Sequence, residues 1–310
     1  MVRKIQILSI IMVVMIFVMG CALPFIKSSN TPTVEYEETD TPSSVEPTVL
    51  VTATKSIVDT STNPCYNIFY PLSPGNQWVY KINSAENVET ATPDPNDTYD
   101  QIGITVTTID GNQAKLDALD LSSGVITQTV VECDNGAIKN FPLLTLSLIF
   151  GDQANGAAQI DYQNGVFMPS ETELMDKNWV HSWSGDYVLK GNFTAQDDED
   201  QIVFTISDSP MNLKWESKGI RESVEVPAGI FPDAVRVDRE TEMNISIQLN
   251  SGTDAMKFDG VLTFENTLWY QPNVGLLKEE VHSANISYRG MTFPVVVTGD
   301  LELQEFRPKE

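Results

Sequence analysis

The sequence predicts a mainly β fold: one large antiparallel, strongly curved sheet, a half-barrel or barrel-like sandwich, with one or two short helices. Three observations predict it. Beyond Pro64 apolar residues alternate with polar ones, turn dipeptides punctuate the alternating runs, and helical periodicity is scarce. Ile102, Ile104 and Val106 alternate with Gly103, Thr105 and Thr107, and Met243, Ile245, Ile247 and Leu249 alternate with polar partners. Each such run turns one face to a core and one to water.

The elements follow in chain order. Pro74-Gly75-Asn76 is a turn that launches a strand whose Trp78 and Tyr80 share one face. Asp110-Gly111, Asn135-Gly136, Asn164-Gly165 and Ser251-Gly252 accept positive φ cheaply, and most of them separate strand-like segments. Leu143 to Phe150 reads as a short helix or a buried strand, and Ser170 to Met175 as one capped turn. Tyr187 to Phe193 and Ile202 to Ile206 flank Asp197-Asp198-Glu199-Asp200, a charged hairpin tip. Pro227-Ala228-Gly229 feeds the run from Ala234, and Gln271 to Gly275 joins two strands as a hairpin loop. A βαβ fold would need many more crossover helices, so residues 65–307 are expected to form a single β domain, with a split near Asp197 to Asp200 as the alternative.

The N-terminal part has a different chemistry. Arg3 and Lys4 precede an apolar run from Ile5 to Met19, too short to span a bilayer that needs roughly 20 apolar residues, so residues 1–20 read as a signal peptide. Val18-Met19-Gly20-Cys21 resembles the lipobox of bacterial lipoprotein signals. That resemblance implies cleavage before Cys21 and a diacylglyceryl thioether on its sulfur. An anchor of acyl chains, at about 0.8 kcal/mol per buried methylene, would hold the protein to membrane lipid on the extracytoplasmic face of the cell membrane. Residues 21–64 are then expected to be a disordered Ser/Thr/Pro-rich stalk, because no sustained apolar pattern offsets the entropy of ordering. Thr48 to Ile57 as a first strand of the domain is the alternative there.

Charge excludes one class of partner. With 19 basic against 43 acidic residues and a net charge of -24, the chain cannot offer a polyanion the clustered Lys and Arg it requires, so nucleic acid is not expected as a partner. Once Cys21 is acylated, Cys65 and Cys133 are the remaining cysteines. An oxidising compartment lets them pair, and closing that loop would contribute on the order of 4 kcal/mol in the chain-entropy model. Two reduced thiols are the alternative. Neither has a second Cys or a His at ligand spacing, so no metal and no cofactor is expected.

Catalytic signatures are missing too. His181 and His282 lie about a hundred residues apart, and neither Gly-x-Ser-x-Gly, His-Glu-x-x-His nor a phosphate-cradling glycine loop occurs. Both histidines read as surface or packing residues. Asp197 to Asp200 lacks the spacing of a calcium loop. Most of the five tryptophans suit a β core, whereas Trp179 and Trp183, near expected turns, are the candidates for an exposed ligand platform.

Three segments carry a resemblance. Pro71-Leu72-Ser73-Pro74-Gly75-Asn76-Gln77-Trp78-Val79-Tyr80, Val224-Glu225-Val226-Pro227-Ala228-Gly229-Ile230-Phe231 and Trp269-Tyr270-Gln271-Pro272-Asn273-Val274-Gly275-Leu276-Leu277-Lys278-Glu279-Glu280 resemble the entry turn, mid-domain turn and closing hairpin of a set of bacterial cell-envelope lipoproteins of unknown function. Such proteins are similar in turn to the curved half-barrels of periplasmic lipoprotein carriers, whose concave face can hold acyl chains. The resemblance implies a non-enzymatic, membrane-anchored envelope lipoprotein that binds a hydrophobic or carbohydrate ligand, or a protein partner, on a β surface. A purely structural or adhesive surface lipoprotein and a carboxylate-based hydrolase are the alternatives.

Overall fold

A strand with one apolar face must cover it, and here a wide run of neighbouring strands does so by curving about a common inner side. The computed structural model describes residues 63–82, 100–121, 124, 126–140, 155–197, 200–251, 254–294 and 300–309. The leader, Cys21, the stalk and the run from Leu143 to Phe150 lie outside them.

The chain enters through two short strands, β1 (Tyr66–Asn67) and β2 (Tyr70–Pro71), paired with each other. It continues with β3 (Gln77–Ile82), β4 (Asp100–Asp110), β5 (Gln113–Asp120), β6 (Ile126–Asp134), β7 (Ala137–Ile138) and β8 (Asn155–Gly165). A short helix, α1 (Glu171–Asp176), is capped by Ser170, whose Oγ accepts the Glu173 N–H at 3.3 Å. Four long strands follow: β9 (Val180–Asp197), β10 (Asp200–Val226), β11 (Gly229–Ser251) and β12 (Asp254–Gln271). The chain closes with β13 (Gly275–Tyr288), β14 (Met291–Pro294) and β15 (Leu301–Arg307).

Strands β3 to β15 form one sheet of 13 strands in the order β7-β6-β5-β4-β3-β15-β13-β12-β11-β10-β9-β8, with β14 paired to β13 off that path. Neighbours in sequence are mostly neighbours in space. The exceptions are β7 and β8, which stand at opposite edges of the order, and β15, which inserts between β3 and β13 and welds the N-terminal strands to the C-terminal ones. The sheet is mainly β and antiparallel as the alternation predicts, and it is not closed along its length. At one end its two edges nevertheless meet: Ile138 in β7 bridges to Met168 just beyond β8, and the Tyr187 hydroxyl donates to the Lys139 carbonyl at 3.0 Å.

Backbone conformation at two glycines sets this end. Gly165 leaves β8 at φ +80°, and a Cβ there would stand 2.1 Å from the Ser184 carbonyl. Gly136, at φ +85°, brings its backbone against Tyr66, with a Cβ position 3.0 Å from the Tyr66 oxygen.

The inner face is filled, among the described residues, by the entering segment and by the stretch around α1. Phe69 stands 4.6 Å from Trp179 and 5.6 Å from Tyr270, and Phe167 meets Trp215 edge-on at 5.5 Å. Polar atoms that follow these side chains inward find partners. Asn67, fully buried, donates from Nδ2 to the carbonyls of Gly136 and Pro169 at 2.6 and 2.7 Å and accepts the Phe69 N–H at 2.9 Å. Trp78 donates to the Val274 carbonyl at 2.6 Å and Tyr80 to that of Leu276 at 3.0 Å. The sulfurs of Cys65 and Cys133 are bonded, joining the entering segment to β6.

One ion pair lies within this interior. Arg239 Nη2 donates to Glu279 Oε1 at 2.5 Å, Asn266 Nδ2 donates to the same oxygen at 2.8 Å, and both charged side chains are 3% exposed or less. Removing one member strands the other as an uncompensated buried charge, whereas removing both together with the Asn266 amide leaves a packable apolar gap. Arg239→Met is therefore expected to lower unfolding free energy by about 3 to 5 kcal/mol, and the triple variant Arg239→Met/Glu279→Leu/Asn266→Leu to recover most of it. Chemical denaturation of the two variants beside the parent protein measures this; a triple variant no more stable than the single one contradicts it.

Candidate functional site

Antiparallel register decides which side chains face outward together. On β9 to β12 one cross-strand row is Ser182, Glu216, Asp238 and Thr267, and a second is Ser184, Lys214, Glu240 and Glu265. Between them runs Trp183, Trp215, Arg239 and Asn266, all buried on the inner side, so that this middle row offers only its backbone to the outer face. The two outer rows thus become the walls of a groove, of about 680 Å³, that crosses β9 to β13 at right angles to the strands. Five strands at about 4.8 Å spacing give it a length of about 19 Å.

His282 stands at its β13 end. The pairing of β12 with β13 shifts between Glu265 and Asn266, and this bulge leaves His282 without a direct partner in the register and beside Thr267. Thr267 Oγ1 donates to Asp238 Oδ1 at 3.2 Å and lies 2.7 Å from His282 Nε2. A hydroxyl carries one hydrogen, so with that hydrogen on Asp238 the Nε2 of His282 is the donor to the Thr267 oxygen.

The charges along the groove are tied to one another. Lys218 Nζ reaches Asp238 Oδ2 at 3.1 Å and Glu216 Oε2 at 3.2 Å, Arg236 Nε donates to Asp238 Oδ1 at 3.1 Å, and Lys214 stands 4.0 Å from Glu240. Partial burial disfavours the Asp238 charge, but the hydrogen bonds from Lys218 and Arg236 outweigh it and hold the carboxyl below its ordinary 3.8. The same bonds, first Asp238 and then Glu216, raise Lys218. Glu240 and Glu265 are direct cross-strand neighbours, a like-charge juxtaposition that costs a few tenths of a kcal/mol on a bare sheet, on the order of the favourable pairs elsewhere in it.

Trp179 and Trp183 do not form an exposed platform. Trp183 falls in the inward row, stacks on Trp215 at 6.0 Å with 10° between the planes, and donates Nε1–H to the Phe167 carbonyl at 3.0 Å. Trp179 adopts φ +65°, which turns its ring inward onto Phe69 beneath the Arg221 guanidinium, 5.4 Å from the ring centre. Their nearness to turns suggested exposure, but strand parity and one left-handed residue put both in the core. His181 lies apart from the groove-end histidine, 3.0 Å from Glu173. Among the described residues no group of three or more His, Cys, Asp or Glu side chains is arranged to hold a metal ion, and no helix is long and apolar enough to cross a membrane.

The depressed carboxyl of Asp238 makes a pH prediction. A group whose folded pKa lies below its unfolded value adds stability that is fully present above the unfolded value and is lost as pH falls through the folded one. The loss in stability between pH 5 and pH 2 is expected to be smaller in Asp238→Asn than in the parent protein. Urea denaturation across that range measures it, and equal acid sensitivity of the two would show that Asp238 carries none of the effect.

No protein-family profile and no curated protein matches the chain. Among solved structures the chain is similar to a presumptive lipoprotein from Parabacteroides distasonis, at 19% identity and a TM-score of 0.42, over 78% of this chain and 99% of that one. It is also similar to a presumptive exported protein with a YmcC-like fold from Bacteroides fragilis, at 12% identity and a TM-score of 0.38, over 78% of this chain and 100% of that one.

Proposed function

We propose that this chain is a non-enzymatic envelope lipoprotein, held at Cys21 on the outer side of the cell membrane, whose β domain binds an extended polar ligand in the outer groove. The observation that carries the binding reading is the groove itself: two walls of hydroxyl and charged side chains of both signs, over a backbone floor, spanning five strands. A length of about 19 Å suits an extended peptide of about six residues, or a glycan of like length. A polar ligand is favoured over a hydrophobic one because the inner face, where an acyl chain would lie in a half-barrel, is taken up among the described residues by Phe69, Phe167, Trp179 and their neighbours. Binding is favoured over turnover because Glu216 and Asp238 are engaged by Lys218 and Arg236, and the His282 imidazole is spent on a threonine hydroxyl.

Lys214 supplies the test. It is exposed, and an ion pair of that kind contributes about 0 to 1 kcal/mol, so Lys214→Gln should leave the fold nearly untouched while removing the positive charge from one groove wall without adding a carboxylate beside Glu240. Titration calorimetry against a panel of oligosaccharides and of extended peptides bearing both charges is expected to find at least one binder. That binder should lose tenfold or more in affinity with Lys214→Gln, at a nearly unchanged melting temperature. Failure of every panel member to bind, or equal affinity in the variant, removes the groove as the site and favours a structural or adhesive role.

A further inference from the structure

The chain enters the domain at one particular end. Pro64 accepts the Gly136 N–H at 2.8 Å in the β6–β7 turn, and the Asn67 side chain reaches Pro169, just before α1. The β12–β13 turn lies at the same end, where Asn273 N–H donates to the Ile68 carbonyl at 2.7 Å.

Three large apolar side chains stand out into solvent around the turn that follows α1: Met175 at 55% exposure, Val180 at 59% and Ile220 at 42%. The backbone is built to present them. Asn178 and Trp179 are both left-handed, at φ 48° and 65°, so that Trp179 turns inward and Val180 outward. Opposite, the pairing of β10 with β11 breaks between Ser217 and Arg221, which frees Gly219 and Ile220 to bulge towards Val180. A Cβ on Gly219 would stand 3.2 Å from Val180 Cγ2 and 3.3 Å from the Asn178 carbonyl. Scattered exposed apolar residues need no account, but three gathered on one specially bent corner do.

We infer that this corner is a membrane-contact surface, which dips Met175, Val180 and Ile220 into a zwitterionic bilayer beside the anchor. The inference rests on the lipoprotein reading of Cys21. Residues 22–62 are all that separates that anchor from Asn63, and a covalent link of 41 residues keeps the bilayer at high effective concentration near the end where the chain enters. The opposite end, marked by Met291, is separated from it by the length of β13, about 45 Å for 14 residues. A net charge of -24 selects against anionic headgroups, so contact is through apolar insertion and not through charge.

The protein expressed with residues 1–20, purified from membranes and reconstituted in phosphatidylcholine vesicles, tests this with an environment-sensitive fluorophore on Val180→Cys or on Met291→Cys. Mass spectrometry of Cys21 is read on the same samples. The expected result is an acylated Cys21, with a blue-shifted Val180→Cys label quenched at least twofold by brominated lipid and a water-like Met291→Cys label. Adding Met175→Glu and Ile220→Glu to Val180→Cys should abolish the quenching without changing the melting temperature. An acylated protein whose two labels respond alike overturns the membrane contact and leaves the lipoprotein reading standing. An unmodified Cys21 overturns both. A blue shift insensitive to brominated lipid assigns the corner to protein contact and overturns the proposal as well.

Discussion

The structure depends on how a sheet of 13 strands seals its inner side. Curvature alone cannot do it, because the sheet is open along its length and an open apolar concavity would face water. The entering segment, Cys65 to Leu72, takes that place. It is pinned covalently to β6 through Cys133, and by Asn67 to both the β6–β7 turn and the approach to α1. In the chain-entropy account a crosslink spanning 68 residues contributes about 4 kcal/mol, comparable to a large share of a domain's net stability. Asn67 adds little net energy of its own. Its importance is negative, because the Gly136 and Pro169 carbonyls would otherwise be buried without donors.

The same alternation that fills the interior creates the outer groove. Once Trp183, Trp215, Arg239 and Asn266 are drawn inward, their neighbours on either side must point outward, and four adjacent strands in register align those neighbours into two walls. The groove is therefore a by-product of core packing on which chemistry can be placed. The bulge between Glu265 and Asn266 adds the one element that alternation would not, by bringing His282 against Thr267.

The sequence made the sheet legible because alternation and turn chemistry are local. Asp110-Gly111 joins β4 to β5, Pro227-Ala228 joins β10 to β11 and Pro272 to Val274 joins β12 to β13, all readable from a few residues. Three features were not. The insertion of β15 between β3 and β13 depends on contacts more than two hundred residues apart, and the Ile138–Met168 bridge depends on the curvature of the whole sheet. The groove was illegible for a third reason: its residues are drawn from five strands, and only the pairing register, bulges included, says that Ser182, Glu216, Asp238 and Thr267 stand in one line. Trp179 and Trp183 show the converse failure, since proximity to a turn says nothing of which way a ring points once a left-handed residue intervenes.

The position of the disulfide also decides where the domain meets mechanical load. Tension along residues N-terminal to Asn63 arrives at Cys65 within two residues, before it can reach Asn67 or the β1–β2 pair. From Cys65 it divides between the onward chain and the covalent link to β6, a strand hydrogen-bonded along most of its length to β5. A pull that would otherwise peel the entering segment from the interior is thereby shared with β6 and the strand beside it. The element that seals the core is thus also the one that takes up any pull from the N-terminal side, and the crosslink lets it serve both without one undoing the other.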